Sequence, residues 1–286
     1  MSFKYDLPDV IKVEEDGPIR IVRLSRPDAL NAVNDDMHLA LTVLWPQLSA
    51  DTDARAAVIT GEGRAFSAGG DFDLLDRMAN DRDLRHAVIA EGRELVLNMI
   101  RCRVPVVAAV NGPAVGVGVT MTLPMDVRLA SDNARFGFVF ARRGLVPEAA
   151  SSWFLPRVVG IGQAMEWVMT GRVFPAAEAL AGGLVRSVHP SDELLGVAKA
   201  LALEVAENTS GVSVALSRQM LWRMLGADHP MEAHKIDSRV IWEQGRSGDA
   251  REGVMSFLEK RPPDFPLRVS ADMPSCFPWW EERTFE

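Results

Sequence analysis

Cysteine is scarce. Cys102 and Cys276 are the only two among 286 residues, and they form no CxxC pair. That excludes a disulfide framework and a thiolate zinc site, and it fits a reducing cytosol. Clusters of lysine and arginine are missing as well: 31 basic residues against 39 acidic ones give a formal net charge of −8. Nucleic acid is therefore not an expected partner. The first ten residues hold no basic region followed by an apolar run, so no signal peptide is read and a cytoplasmic location is expected. The five histidines, His38, His86, His189, His229 and His234, lie far apart without a nearby Ser/Asp or ligand pattern. None is nominated for catalysis, and no metal is expected.

Charge is also absent from Val104 to Met125, a stretch long enough to cross a bilayer. Pro105, Asn111, Pro113, Pro124 and three glycines would break such a helix repeatedly. A buried strand, a tight loop and a core helix explain it better, and no membrane is expected.

With 48% hydrophobic and 24% charged residues the chain reads as an ordinary globular protein. Strand-like runs occur at Val10–Val13, Ile19–Leu24, Ala56–Thr60, Val106–Val110 and Asp126–Ala130. Asn34 or Asp35 can cap a helix running toward Leu48, and Leu84–Ile100 has helical apolar spacing. Beyond Pro190 the pattern becomes helical throughout: Ser191–Glu207, Val212–Leu225, Met231–Arg246 and Asp249–Glu259. The last residues carry Pro262, Pro263, Pro266, Pro274 and Pro278 beside Phe277, Trp279 and Trp280. That composition predicts an extended strap rather than a helix.

Two glycine-rich loops follow predicted strands: Arg64-Ala65-Phe66-Ser67-Ala68-Gly69-Gly70-Asp71 and Val110-Asn111-Gly112-Pro113-Ala114-Val115-Gly116-Val117-Gly118. Two strand-to-helix loops of this kind can direct backbone N–H groups at one oxygen, which is an oxyanion hole. Their order, together with Leu24–Ala32, Phe136-Gly137, Gly144–Pro147, Leu155–Gly160, Thr170–Arg172 and Ala179–Val188, resembles the enoyl-CoA hydratase/isomerase (crotonase) superfamily. The likeness runs over roughly residues 10 to 260.

The resemblance implies an α/β fold: a crotonase-like spiral of repeated ββα turns over 1–189 and a C-terminal helical oligomerisation region over 190–260. A Pro/Trp-rich tail over 261–286 follows. It implies a homotrimer or hexamer, and a coenzyme A thioester as substrate with no cofactor. The thioester oxygen would be held by the N–H groups of Ala68 and Val117, backed by the helix starting near Gly116. Arg26 is the candidate phosphate contact in the first loop, beside Ala29. Ala65, Phe66, Ser67, Gly69 and Gly70 would line the CoA side, with Asp71 as the helix cap closing that loop. Lys260 resembles a lysine that reaches a neighbour's CoA.

Hydratases of this family add water with two glutamates, and the matching positions here are Thr120 and Phe140. Neither can carry a proton in that role. Glu148, in Pro147-Glu148-Ala149-Ala150-Ser151-Ser152, lies where isomerases of the family carry their single acid. A glutamate there could also simply favour a helix N-terminus. The expected activity is isomerase-type, a double-bond shift through a dienolate. A silent acyl-CoA binder and a thioester hydrolase stand as alternatives.

Overall fold

A computed structural model describes residues 3–283. Nine strands and eleven helices are found among them. The strands are β1 (Ile11–Asp16), β2 (Ile19–Leu24), β3 (Ala56–Gly61), β4 (Val106–Val110), β5 (Ala114–Val115), β6 (Val127–Ser131), β7 (Arg135–Gly137), β8 (Val173–Pro175) and β9 (Ser187–His189). The first seven helices are α1 (Asp35–Ala50), α2 (Phe72–Asn80), α3 (Arg82–Arg101), α4 (Val117–Thr120), α5 (Ser151–Val159), α6 (Ile161–Thr170) and α7 (Ala176–Ala181). The last four are α8 (Leu194–Asn208), α9 (Gly211–Met224), α10 (Pro230–Gln244) and α11 (Gly248–Glu259).

The main sheet has the order β1-β2-β3-β4-β6-β9. Only the β1–β2 pair is antiparallel; the other neighbours run parallel. Parallel strands need cover on both faces, and β3 and β4 are accordingly buried along their whole length. The period of two divides their side chains. Ala57, Ile59, Val106, Ala108 and Val110 join the large core under α1, whereas Ala56, Val58, Val107 and Ala109 meet α8. The contacting stripe of α8 is Leu194, Ala198, Ala202 and Ala206, spaced by four, so small side chains let the helix lie close to the sheet.

Local chemistry fixes the elements. Asn34 caps α1 by accepting from the N–H of Met37 at 3.0 Å. Pro46 inside that helix cannot donate to the carbonyl of Thr42, and Asn98 of α3 supplies the missing bond at 3.1 Å. A buried ion pair, Arg20 Nε to Asp51 Oδ2 at 2.6 Å, receives a third partner in the Tyr5 hydroxyl at 2.7 Å. Arg218 of α9 reaches back to Asp126 at 2.7 Å and to the carbonyls of Met99, Ile100, Cys102 and Pro124. It closes the C-terminal end of α3, where carbonyls lack helical donors.

The four C-terminal helices lie within two or three residues of their predicted spans. Residues after α11 run extended or in turns along the surface. Trp280 lies 3.2 Å under Arg223, and Arg101 pairs with Glu282 at 3.0 Å. The last three residues of the predicted tail, 284–286, lie outside the described residues, as do the first two. No helix among the described residues is long and apolar enough to cross a membrane.

Candidate active site

Two asparagines staple the strand ends that carry the site. Asn31 is fully buried; its side-chain amide donates to the carbonyls of Glu62 and Ala65 at 3.0 and 2.8 Å, and its Oδ1 accepts from the N–H of Arg26. Leu30 and Asn31 both take left-handed backbone to make this turn. Asn111 joins the ends of β3 and β4, accepting from the Gly61 N–H at 3.0 Å and donating to the Gly63 carbonyl at 3.0 Å.

The two glycine-rich loops meet backbone to backbone. The N–H of Val115 donates to the Ser67 carbonyl at 3.0 Å, and the N–H groups of Phe66 and Ser67 donate to Pro113. This approach requires glycine at three places, the first being Gly112, where a methyl group would lie 2.1 Å from the Arg64 carbonyl oxygen. A methyl group on Gly118 would lie 2.3 Å from the Ser67 carbonyl oxygen, and one on Gly69 would lie 2.7 Å from that of Val115. The contact sets Gly70 and Val117, the residues following Gly69 and Gly116, at the two mouths.

Here the structure corrects the expected donor. The N–H of Ala68 is already given to the Leu30 carbonyl at 2.9 Å, so it cannot also hold a substrate oxygen. The N–H groups of Gly70 and Val117 have no acceptor among the described residues. Val117 is the first residue of α4, and Gly70 directly precedes Asp71, the cap of α2. The missed signal was positional: free donors stand at helix starts, and Ala68 is three residues short of the cap.

Asp71 caps α2 as expected, accepting from Asp73 at 3.1 Å. Its other oxygen takes Arg26 at 3.0 Å, and Arg26 also donates to the Ala32 carbonyl. Burial would raise the Asp71 carboxyl, but the Arg26 and backbone hydrogen bonds outweigh it and hold the group below the usual carboxylate range. The guanidinium expected to meet phosphate is therefore engaged in tying the Leu24–Ala32 segment to the first glycine-rich loop. Ala29 ends a single 3-10 turn beside it. Lys260 lies at the exposed C-terminal end of α11 with left-handed backbone, and no hydrogen bond described here joins it to the loops.

Glu148 comes to the site on a strained turn. Ala149 and Ala150, both left-handed, follow it. The Glu148 carbonyl accepts from the N–H and hydroxyl of Ser151 at 2.9 and 2.5 Å. No side chain caps α5. The carboxylate turns instead to the Thr120 hydroxyl, with Oε1 2.5 Å from Oγ1. Thr120 ends the same short helix that Val117 begins, and its Oγ1 lies 3.4 Å from the Val117 carbonyl. Two polar contacts thus separate the carboxylate from the peptide of Val117.

Glu148 is exposed to solvent as a residue, while many protein atoms surround its carboxyl group. That burial pushes its pKa up, and the Thr120 hydrogen bond opposes the shift. Phe140 is buried in the core. No group of three or more potential metal ligands occurs among the described residues.

Residues 14–268 match the family model described as enoyl-CoA hydratase/isomerase. Enoyl-CoA hydratase ACTT3 of Alternaria alternata is 39% identical over 87% of this chain and 85% of its own length. The 1,2-epoxyphenylacetyl-CoA isomerase of Escherichia coli is 32% identical over 86% and 94%. Among solved structures, DspI of Pseudomonas aeruginosa superposes with a TM-score of 0.85 at 30% identity, covering 91% of this chain and 98% of that one. An enoyl-CoA hydratase from Bacillus anthracis gives 0.85 at 27% identity, over 90% and 99%. With the paired glycine loops, the strand order that presents them and these likenesses together, the chain belongs to the enoyl-CoA hydratase/isomerase family, the crotonase superfamily.

Proposed function

We propose that the protein isomerises an enoyl-CoA, with Glu148 as its single proton carrier. The observation that carries this reading is the Glu148 carboxylate, raised in pKa by burial and held one helical turn from the free Val117 N–H. A carboxylate so placed beside the oxyanion donors can take and return a proton.

In this reading the thioester oxygen of a 3-enoyl-CoA accepts from the N–H groups of Gly70 and Val117. Glu148 takes a proton from C2. The electron pair of that C–H bond passes through the thioester carbon onto the oxygen, giving a dienolate. The two amides stabilise the developing negative charge, helped by the positive end of α4. Glu148 then returns the proton to C4, the pair flows back, and the double bond rests between C2 and C3. Nothing is gained or lost overall, and no cofactor enters. Ala65, Phe66, Ser67 and Gly69 shape the CoA-facing backbone. Arg26 acts by tying the Leu24–Ala32 segment to the first glycine-rich loop through Asp71, with Ala29 beside it, rather than by meeting phosphate directly.

Several relatives carry the name hydratase, and hydration by two acids is the natural rival reading. Thr120 and Phe140 speak against it here, since neither can activate water. A silent acyl-CoA binder is the second rival, favoured by Val117 and Phe140, which make the pocket tighter and more apolar. Replacing Glu148 with Gln separates these readings. Isomerisation of a 3-enoyl-CoA should fall by about 10²–10⁴-fold while a saturated acyl-CoA still binds. Normal turnover in Glu148→Gln, or none in the parent chain, overturns the proposal.

A homotrimer or hexamer is part of the same reading. The C-terminal helices expose Trp242 (69%), Phe257 (80%), Leu258 and Ile241, faces that a single copy leaves uncovered. Lys260 would then reach a neighbour's CoA. Light scattering at micromolar concentration should report at least three copies; a monomer would refute the assembly.

A further inference from the structure

We infer that Thr120 is a positioning residue for Glu148: its hydroxyl fixes Oε1 and leaves Oε2 as the only oxygen that exchanges the proton. The inference rests on Glu148 being the proton carrier.

A threonine hydroxyl has one proton to give. In a helix it commonly returns that proton to the carbonyl three or four residues back. Thr120 has such a carbonyl, that of Val117, but at 3.4 Å, whereas Glu148 Oε1 lies at 2.5 Å. Geometry therefore sends the proton to the carboxylate. The side chain of Thr120 is wholly buried, so no bulk water competes for it. No donor among the described residues reaches Oε2.

The surroundings make this bond matter. Among the described residues, burial and the Thr120 hydroxyl are the influences that shift Glu148. The residues that hydrogen-bond to Glu148 are Thr120 of α4 and Ser151 of α5, and neither is ionisable in this range. Burial disfavours the ionised form that acts as a base. The hydroxyl favours the ionised form, because it donates to it. It also prevents the carboxylate from rotating, so that the proton taken from C2 stays on the oxygen that must deliver it to C4. A residue that looks like the loss of an acid is thereby the support of the remaining one.

The test is a titration of the Glu148 carboxyl by infrared difference spectroscopy, with the Glu148→Gln chain subtracted, in the parent and in Thr120→Val. The valine keeps the shape and deletes the donor. A hydrogen bond to a charged group is worth enough to move the midpoint upward by about one pH unit in Thr120→Val. Thr120→Ser should restore it. The acidic limb of kcat/KM for a 3-enoyl-CoA should move with the midpoint, while the affinity for a saturated acyl-CoA stays within about twofold. An unmoved midpoint in Thr120→Val refutes the inference, as does a serine variant that behaves like the valine one. If the valine variant does not fold, the same comparison is made with Thr120→Ala against Thr120→Ser. The spectrum needs no turnover, so a failed isomerase reading, seen as full activity in Glu148→Gln, is told apart from a failed Thr120 reading.

Discussion

Adding one methyl group at Gly118 should disable the site without touching an ionisable group. In Gly118→Ala the new carbon would stand 2.3 Å from the Ser67 carbonyl oxygen and 2.9 Å from the Ser67 Cβ. Ordinary contact begins at 3.4 Å. The two loops must therefore part by roughly 1 Å, and both contacts are too stiff to yield by a rotamer change. The Gly70 and Val117 amides stand on either side of that seam. Donors to an oxyanion work within about 2.7–3.1 Å, so a 1 Å parting removes one of them. Loss of one such donor lowers kcat by about 10²–10³-fold. Overpacking of the seam should also destabilise by about 1–3 kcal/mol, or several degrees of Tm for a chain of this size. The assay is steady-state isomerisation of a 3-enoyl-CoA beside a calorimetric scan. Gly196→Ala is the control: the residue sits in α8 with nothing within 4 Å of a new methyl group. It should keep full activity and gain about 0.5–1 kcal/mol. A Gly118→Ala enzyme within threefold of the parent, at an unchanged Tm, would refute the reasoning about the seam.

Three more outcomes follow from other parts of the molecule. Burial would raise Asp51, but its bonds to Arg20 and Tyr5 prevail and hold it below the usual carboxylate range. Because the folded state lowers this pKa, the stability it contributes is present above about pH 4 and is lost as acid passes the folded value. Asp51→Asn should therefore cost about 3–5 kcal/mol at pH 7, measured by urea unfolding, and progressively less in acid; an equal loss at pH 7 and pH 2 would contradict it. Glu148 is the opposite case, raised by folding, so its charge opposes the folded state above its unfolded pKa. Glu148→Gln should raise Tm at pH 7, with the gain vanishing below pH 4; a fall in Tm at pH 7 would count against the buried carboxylate. Crotonyl-CoA should be hydrated negligibly, checked by the absorbance of the conjugated thioester, since Thr120 and Phe140 offer no acid; rapid loss of that absorbance would restore the hydratase reading.

The main sheet and the long helices were legible because burial on fixed faces leaves a period in the sequence. β2 and β4 have the bounds that their apolar runs suggest, and Asn34 announces α1 by its side chain. The small sheet of β5, β7 and β8 was not foreseen, since strands of two or three residues are too short to show a period. At the site, the glycine loops were visible, but which amide stays free depends on the Leu30 carbonyl, thirty-eight residues upstream of Ala68 and turned inward by left-handed backbone. Likewise the sequence marks Thr120 only as a missing acid. Its bond to Glu148 joins two segments that are neighbours only after folding.

Arg218 also sets an order of events. It is 92 residues beyond Asp126 and 118 beyond Ile100, the groups it completes. On a ribosome adding about 5–20 residues per second, α3 and the start of β6 wait on the order of 5–20 s for their guanidinium. Until then the carbonyls of Ile100 and Cys102 at the end of α3 lack the guanidinium that they meet in the folded chain. The last strand of the main sheet, β9, is made before α9, so the end of α3 is completed only after every strand of that sheet has been synthesised.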